Sequence, residues 1–402
     1  MSRFLTAGLM IGAALAVASC AGAPSGPLPP TAVAQTDQAT TTVRPDRVIL
    51  ISIDGFRPDY LGQGQTPVLD GLVAGGAFGP MRPSFPSVTF PNHYTLVTGK
   101  TPNDNGIVNN TMRDPAIPGV TFSLGNAAAV VDRRWWDMAE PIWVTLEKRG
   151  IPTATMFWPG SEADIHGVRP SYWRKFDKSV SSTARVDQVL AWLSLPESRR
   201  PRFVTLYLQE ADDAGHRFGP DAAETLAAVR RTDQAVGYLV DGLRQIGRKA
   251  DIIIVSDHGM AGVKQIIRLD RIADPADFRL VSGGAIAAIE PVPGHEQQLA
   301  ASLLRPFRDM QCWRKENLPA RFAYGGNPRI SPFICLAAVG GLIYDHDPGS
   351  YPKGMHGYDP DTPEMASIFI ANGPDIAQKR VGRMSALDVR PYLDELLGIA
   401  AN

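Results

Sequence analysis

The chain has 402 residues and sets 40 lysines and arginines against 41 aspartates and glutamates, a formal net charge of −1. That balance leaves no clustered cations with which to grip a polyanion, so no nucleic-acid groove is expected. With 44% hydrophobic residues the composition is globular, and the length fits either two or three domains or one large α/β sheet carrying an insertion.

The first 19 residues read as a signal peptide: a short basic start at Met1-Ser2-Arg3, an apolar run from Phe4 to Ala18, and small residues at its end. The run is too short to span a bilayer, which takes about 20 apolar residues. Val17-Ala18-Ser19-Cys20 resembles a bacterial lipobox, in which Cys20 would carry the lipid; an ordinary signal cleaved nearby is the alternative. These features predict secretion across the inner membrane and a periplasmic protein held to a membrane by a lipid anchor only. Residues 20–44, rich in Ala, Pro, Thr and Gly, read as a flexible tether. Residues 45–402 would form the catalytic domain.

Val48-Ile49-Leu50-Ile51-Ser52-Ile53 is a continuous apolar run that predicts a buried parallel strand, with Asp54 at its C-terminal end. Helices are predicted from Thr66 to Gly75-Gly76 and from Thr89 to Gly99, with Gly106–Met112 as a polar loop. Trp136–Arg149 has helical spacing with Gly150 as its stop, and Ile151–Trp158 reads as a strand. Phe203–Leu208 is another strand, with Asp212 and His216 just beyond it, and Asp221 to about Ile246 is a long helix. Asp251–Ser256 is a buried strand that delivers Asp257 and His258. From about Val263 to Asp347 the periodicity weakens, which reads as a small inserted subdomain. Ala366–Ala371 is a strand, and Asp388–Ile399 an amphipathic closing helix. Strands alternating with helices predict an α/β fold: a largely parallel central sheet with helices on both faces.

Three cysteines are present. With Cys20 lipidated, Cys312 and Cys335 remain as a pair; in an oxidising compartment they would form a disulfide, and two buried free thiols are the alternative.

Thr89 stands between Pro86 and Pro91 at the start of a predicted helix, where unpaired N–H groups and the positive dipole end suit an anion such as phosphate. Thr is also favoured at helix starts for structural reasons, so this window alone fits a plain N-cap as well. Asp54, Asp212, His216, Asp257, His258 and His356 supply three carboxylates and three imidazoles at or near strand ends. Singly, Asp257-His258 fits a hydrogen-bonded pair, and Asp212 and His216 share a face only if their segment is helical. Together they predict metal. Mixed Asp and His ligation suits Zn²⁺ rather than Mg²⁺ or Ca²⁺, and six ligands are too many for one open catalytic ion, so two Zn²⁺ ions are expected.

Several stretches carry a family resemblance: Ser52-Ile53-Asp54-Gly55-Phe56-Arg57, Pro83 through His93 around Thr89, Gly106-Ile107-Val108-Asn109-Asn110, Asp212 through Pro220, Ser256-Asp257-His258-Gly259-Met260 and Gly354-Met355-His356-Gly357. In this order they resemble the nucleotide pyrophosphatase/phosphodiesterase family of the alkaline phosphatase superfamily, over about Arg47 to Ile399. The resemblance implies an alkaline-phosphatase-like fold with Thr89 as the nucleophile. It implies one zinc on Asp54, Thr89, Asp257 and His258, and the other on Asp212, His216 and His356. Asn110 would donate to a non-bridging phosphate oxygen. The chain departs from the family's frequent Glu-Pro-Asp, having Glu210-Ala211-Asp212, which leaves the ligand itself intact.

The resemblance further implies hydrolysis of phosphodiester and pyrophosphate bonds in nucleotides through a phospho-threonine, releasing nucleoside 5′-monophosphates. A dianionic monoester would call for a cationic pair at the site. Only Arg169, Arg174 and Lys175 offer one, so small-molecule diesters are expected, with Phe90, Tyr172 and Tyr207 as the rings that stack on a base. The alternatives are a lipid or choline head-group diesterase, a monoesterase with a threonine nucleophile, and a non-catalytic periplasmic binding or scaffold protein. No protein partner is implied.

Overall fold

The computed structural model describes residues 47–399. The signal segment 1–19, Cys20 and the tether 20–44 expected from the sequence lie outside the described residues. Among the described residues, no helix is long and apolar enough to cross a membrane.

The central strand β1 (Val48–Ile53) is fully buried. Its pleat sends Val48 and Leu50 into one core and Ile49, Ile51 and Ile53 into the other, so a single apolar run serves both faces of the sheet. Each such side chain removed from water contributes about 1.5–3 kcal/mol. The chain continues through α1 (Pro67–Gly75), which begins on a proline whose missing N–H has no helical partner to lose, and β2 (Ala77–Arg82). Next come α2 (Thr89–Thr98), which stops at Gly99 in the left-handed region (φ 67°), α3 (Ile142–Glu147), β3 (Thr153–Met156) and β4 (Tyr172–Trp173). Then follow α4 (Ser182–Leu193), capped by the Ser181 side chain, β5 (Phe203–Leu208), α5 (Glu210–Phe218), α6 (Ala223–Gln245) and β6 (Asp251–Val255).

A second group is β7 (Phe278–Ser282), β8 (Ile286–Pro291), α7 (Glu296–Leu303), β9 (Met310–Arg314) and β10 (Phe333–Ala337). The chain returns to the main sheet with β11 (Ser367–Asn372), β12 (Lys379–Arg380) and β13 (Met384–Ser385), and ends on α8 (Val389–Leu396).

The main sheet has nine strands in the order β12–β2–β11–β6–β1–β5–β3–β4, with β13 also on β2. Only β11 runs against the others, antiparallel to both β2 and β6. Helices α1, α4 and α6 cover one face and α2, α3 and α8 the other. This is the alkaline-phosphatase-like α/β architecture. Because β1, β5 and β6 are parallel, their C-terminal ends share one edge, where sites collect in open α/β sheets.

Between β6 and β11 lies a four-stranded antiparallel sheet, β7–β8–β10–β9, with its own core around Phe278, Ile289, Leu299, Leu303 and Phe333. Cys312 and Cys335 sit directly opposite each other on β9 and β10 and are joined as a disulfide.

Two expected elements are shorter than their sequence pattern. The helix read over Trp136–Arg149 is only α3, because Pro141 within that window has no N–H to donate and serves as the residue before the helix. Trp135 and Trp136 are nevertheless buried, in the turn that precedes it. The strand read over Ile151–Trp158 ends at Met156, because Phe157 takes a positive φ of 61° and turns the chain out of the sheet.

Candidate active site and metal centre

The turn leading into Thr89 is built by Asn92. Its side-chain oxygen accepts from the Ser84 amide at 2.7 Å, and its Nδ2 faces the carbonyls of Pro86 at 2.9 Å and Val88 at 3.0 Å. With Asn92 fully buried, this short network sets the path of residues 84–88 into α2. Val88 is the residue preceding the helix and Thr89 is its first, so the Thr89 hydroxyl makes no capping bond. Oγ1 instead lies 3.3 Å from His258 Nε2. The plain N-cap reading of Thr89 is therefore not what the geometry shows.

Asp54 follows β1, and Asp257 and His258 follow β6, which runs beside it. Asp212 and His216 stand one turn apart on α5, the helical alternative for that pair, so Asp212 comes from a helix that follows β5 rather than from the strand's end. His356 arrives on the loop leading back to β11. His258 Nε2 is 3.0 Å from Asp257 Oδ2 and 3.5 Å from Asp54 Oδ1. Asp212 Oδ1 is 3.4 Å from His216 Nε2 and 3.7 Å from His356 Nε2. The His258 and His356 rings stack at 3.6 Å. All seven residues read as ligands from the sequence thus converge on one place.

Their hydrogen bonds fit metal. Each of the three histidines turns Nδ1 to a backbone carbonyl: His216 to Gly354 at 2.9 Å, His258 to Gly259 at 2.9 Å, and His356 to Ser87 at 3.2 Å. That turns each Nε2 toward the carboxylates; on His258, although burial works against it, the charge of Asp257 lifts the pKa to about 10, so without a cation its ring is protonated. Asp54 Oδ1 and Asp212 Oδ1 are buried and accept no hydrogen bond among the described residues. Buried oxygens without donors, gathered with imidazole nitrogens, make a candidate cation site by the chemistry of the donor set. The protons show the same demand for positive charge. Burial, reinforced by the charges of Asp257 and Asp212, raises the Asp54 carboxyl well above its usual range. Burial also lifts Asp212 to about 7, though His258 pulls the other way.

His93 is a participant that the sequence reading missed. It is buried, and its Nδ1 lies 2.9 Å from the Thr89 carbonyl and 3.3 Å from Asp257 Oδ2, while Nε2 lies 2.8 Å from Ser52 Oγ. With both ring nitrogens engaged, it holds Asp257 in place rather than offering a free lone pair. Its signal in the sequence was its position, one turn after Thr89 on α2. Asn110 presents its carbonyl oxygen to the Phe90 amide at 2.8 Å, which leaves its NH₂ as a donor.

A cavity of about 300 Å³ opens over this cluster, lined by Asp54, Thr89 and Asp212 at the floor and otherwise by mostly apolar side chains, with Glu162, Lys175, Lys178 and Asp213 among them. Phe90 lines it, as expected. Tyr207 reaches it too, but its hydroxyl donates to Asp54 Oδ2, so it supports a candidate ligand rather than presenting a free ring face. Tyr172 is a correction. It lies on the edge strand β4, its hydroxyl bound to the Arg199 carbonyl at 2.9 Å and its ring beside Trp192, and it does not line the cavity. The side chain that does is Phe176, four residues on, held edge-to-face by Phe157 at 5.2 Å. Arg169 and Arg174 bind the Glu162 carbonyl and the Gln188 side chain and do not line it either. Lys175 and Lys178 do, and Lys178 is paired with Asp213 at 2.6 Å.

The family model of type I phosphodiesterase/nucleotide pyrophosphatase matches residues 48–359. A pyrophosphatase/phosphodiesterase of Schizosaccharomyces pombe is 36% identical over 388 residues, covering 90% of this chain and 79% of that protein. Human ectonucleotide pyrophosphatase/phosphodiesterase family member 5 is 34% identical, covering 90% and 77%. Among solved structures, murine member 5, as an inactive threonine-to-alanine variant in complex with AMP, superposes with a TM-score of 0.84 at 32% identity, covering 89% of this chain and 96% of that one. The chain belongs to the nucleotide pyrophosphatase/phosphodiesterase family of the alkaline phosphatase superfamily.

Proposed function

We propose that the protein is a two-zinc phosphodiesterase that cleaves nucleotide diesters and pyrophosphates through a phospho-threonine on Thr89, releasing nucleoside 5′-monophosphates. Family membership makes it a hydrolase of nucleotide phosphodiester and pyrophosphate bonds; the metal identity and the residue roles are our reading. Asp54, Thr89, Asp257 and His258 would hold one ion and Asp212, His216 and His356 the other. The observation that carries the reading is the Thr89 hydroxyl at a helix N-terminus, 3.3 Å from His258, beside carboxylate oxygens that accept no hydrogen bond among the described residues.

When bound, the ions supply Lewis acidity, lowering the pKa of the attacking hydroxyl and countering the charge that develops on the leaving oxygen. The chain's residues do the rest. The positive dipole end of α2 favours the charge of the incoming phosphate, while its first-turn Phe90 and Asn92 amides are already given to Asn110 and to the Val88 carbonyl. The Thr89 hydroxyl loses its proton to solvent and Oγ1 attacks phosphorus in line: a P–O bond to Thr89 forms, the bond to the leaving oxygen breaks, and that oxygen takes up a proton from solvent as it departs. The Asn110 NH₂, oriented by the Phe90 amide, donates to a non-bridging oxygen. Water then attacks the phospho-threonine from the opposite side and restores the hydroxyl. Phe90 and Phe176 offer apolar faces to the base.

Lys175 and Lys178 are the lysines of the lining; both are exposed and Lys178 is already countered by Asp213, a weak clamp for a dianionic monoester. Diesters are therefore favoured. The test is hydrolysis of thymidine 5′-monophosphate p-nitrophenyl ester beside p-nitrophenyl phosphate, each with and without a zinc chelator. The diester should be faster by roughly 100-fold or more, and chelation should abolish turnover until zinc is restored. A faster monoester, or full activity in metal-free protein, sinks the reading.

A further inference from the structure

The strands β9 and β10 are clasped by the Cys312–Cys335 disulfide, and the loop between them, residues 315–332, leaves the inserted sheet to bind segments that flank the active site. Tyr324 donates its hydroxyl to the Val108 carbonyl at 2.9 Å, a contact that bridges 216 residues of sequence. Its ring meets Phe85, in the turn before Thr89, edge-to-face at 5.2 Å, and Phe322 stacks on the same Phe85 at 4.1 Å.

Arg329 is buried and fully committed. Nη1 donates to the carbonyls of Gly106 at 2.8 Å and Trp135 at 2.6 Å, Nη2 to Arg134 at 2.8 Å, and Nε to Asp114 Oδ2 at 2.6 Å. Gly106 (φ 82°) lies under both Met138 and Arg329: a Cβ there would be 2.3 Å from Met138 Sδ and 2.8 Å from Arg329 Nη1. Asn103, just upstream, accepts the amides of Gly326 and Asn327 on its side-chain oxygen.

The carbonyls of Gly106 and Val108 are thus pinned four and two residues before Asn110. Tyr324, Arg329 and Asn110 are all outside the lining of the cavity over Thr89; Tyr324 and Arg329 give their polar groups to backbone carbonyls and Asp114, whereas the Asn110 side chain is held beside Thr89 through the Phe90 amide. A donor aimed at developing charge works only if held to within about half an ångström. The Asn110 side chain has one anchor of its own, the Phe90 amide, and its backbone arrives from a stretch that these two residues fix.

We propose that Tyr324 and Arg329 are positioning residues, through which the disulfide-clasped insertion aims the Asn110 amide at the phosphate. The proposal rests on the donor role assigned to Asn110 above, and the experiment separates the two.

Wild type, Tyr324→Phe, Asn110→Ala and the double variant are compared for kcat and KM on the thymidine p-nitrophenyl diester, with thermal midpoint and zinc content recorded for each. Tyr324→Phe keeps the ring on Phe85 and loses only the hydroxyl. It should lower kcat by about five- to tenfold, with KM, midpoint and zinc content near wild type. In the Asn110→Ala background the same change should cost less than about twofold, because the group it aims is gone. Arg329→Lys, which keeps the charge but cannot span the same carbonyls, should follow that pattern if it folds, and Tyr324→Phe carries the test if it does not. An equal loss in both backgrounds, or no loss in the first, overturns the proposal. An Asn110→Ala enzyme as fast as wild type overturns the donor role itself.

Discussion

The floor and the wall of the cavity over Thr89 are built by different means. The floor is charged, buried and delivered by regular elements: Asp54 follows β1, Asp257 and His258 follow the neighbouring β6, and Asp212 and His216 share one face of α5. The wall is mostly apolar, with exposed Lys175 and Lys178 set into it, and comes largely from irregular segments, with Phe157 and Phe176 in the chain between β3 and α4 and Leu124 in a loop after α2. A floor of this kind is dictated by the sheet, because parallel strands must end at one edge. A wall of this kind depends on how each loop happens to turn.

The largest expected effect lies on the floor. Thr89→Ala should lower kcat by roughly a thousandfold or more on a nucleotide diester, while metal analysis still finds the zinc complement, since six candidate ligands remain. Retention of most of the activity would reduce Thr89 to a structural helix start and erase the distinction drawn here.

The wall should answer more weakly and through KM. Phe176→Ala is expected to raise KM for the thymidine diester by about tenfold, with a much smaller change on bis-p-nitrophenyl phosphate, which carries no nucleoside. Tyr172→Ala should leave kcat/KM unchanged on both substrates, because that side chain packs on Trp192 at the sheet edge. If Tyr172→Ala were the damaging substitution, the loop would have to bind substrate in an arrangement other than the one described.

How much of this was legible in the sequence follows the same division. The β-branched run Val48–Ile53 ending in Asp54 could hardly be anything but a central parallel strand, and the run Asp251–Val255 before Asp257 repeats the pattern. Thr89 at its helix start was equally visible. Tyr172 was misplaced because periodicity says nothing of which loop residue faces inward; a two-residue edge strand decided it, and Phe176 took the position instead. His93 was missed for another reason. A histidine one turn after a nucleophile reads as part of the helix face until its two nitrogens are seen to join Ser52, Thr89 and Asp257. The helix expected over Trp136–Arg149 begins only after Pro141, because the missing N–H donor outweighs the helical spacing of the window.

The smallest effect sharpens the comparison from the opposite end of β6. Asp251 opens the strand that Asp257 follows, and both are about 1% exposed. Asp257 lies among imidazoles, whereas Asp251 Oδ1 accepts only the Asp375 amide, at 3.2 Å, and its Oδ2 accepts no hydrogen bond among the described residues. Burial pushes the Asp251 carboxyl up to about 6; the Asp375 amide works against the shift and the Asp375 charge adds to it. A carboxyl whose folded pKa lies above its ordinary 3.8 favours the fold when protonated. Its contribution is therefore complete below about pH 3.8 and is lost as the pH rises through about 6. Asp251→Asn imitates the neutral form at every pH. It should raise the thermal midpoint by about 2 °C at pH 8 and change it little at pH 4, read as the difference from wild type so that other titrating groups cancel. A midpoint lowered at pH 8 would mean that this carboxylate is held as an anion, so that the two ends of β6 do not differ in the way their surroundings require.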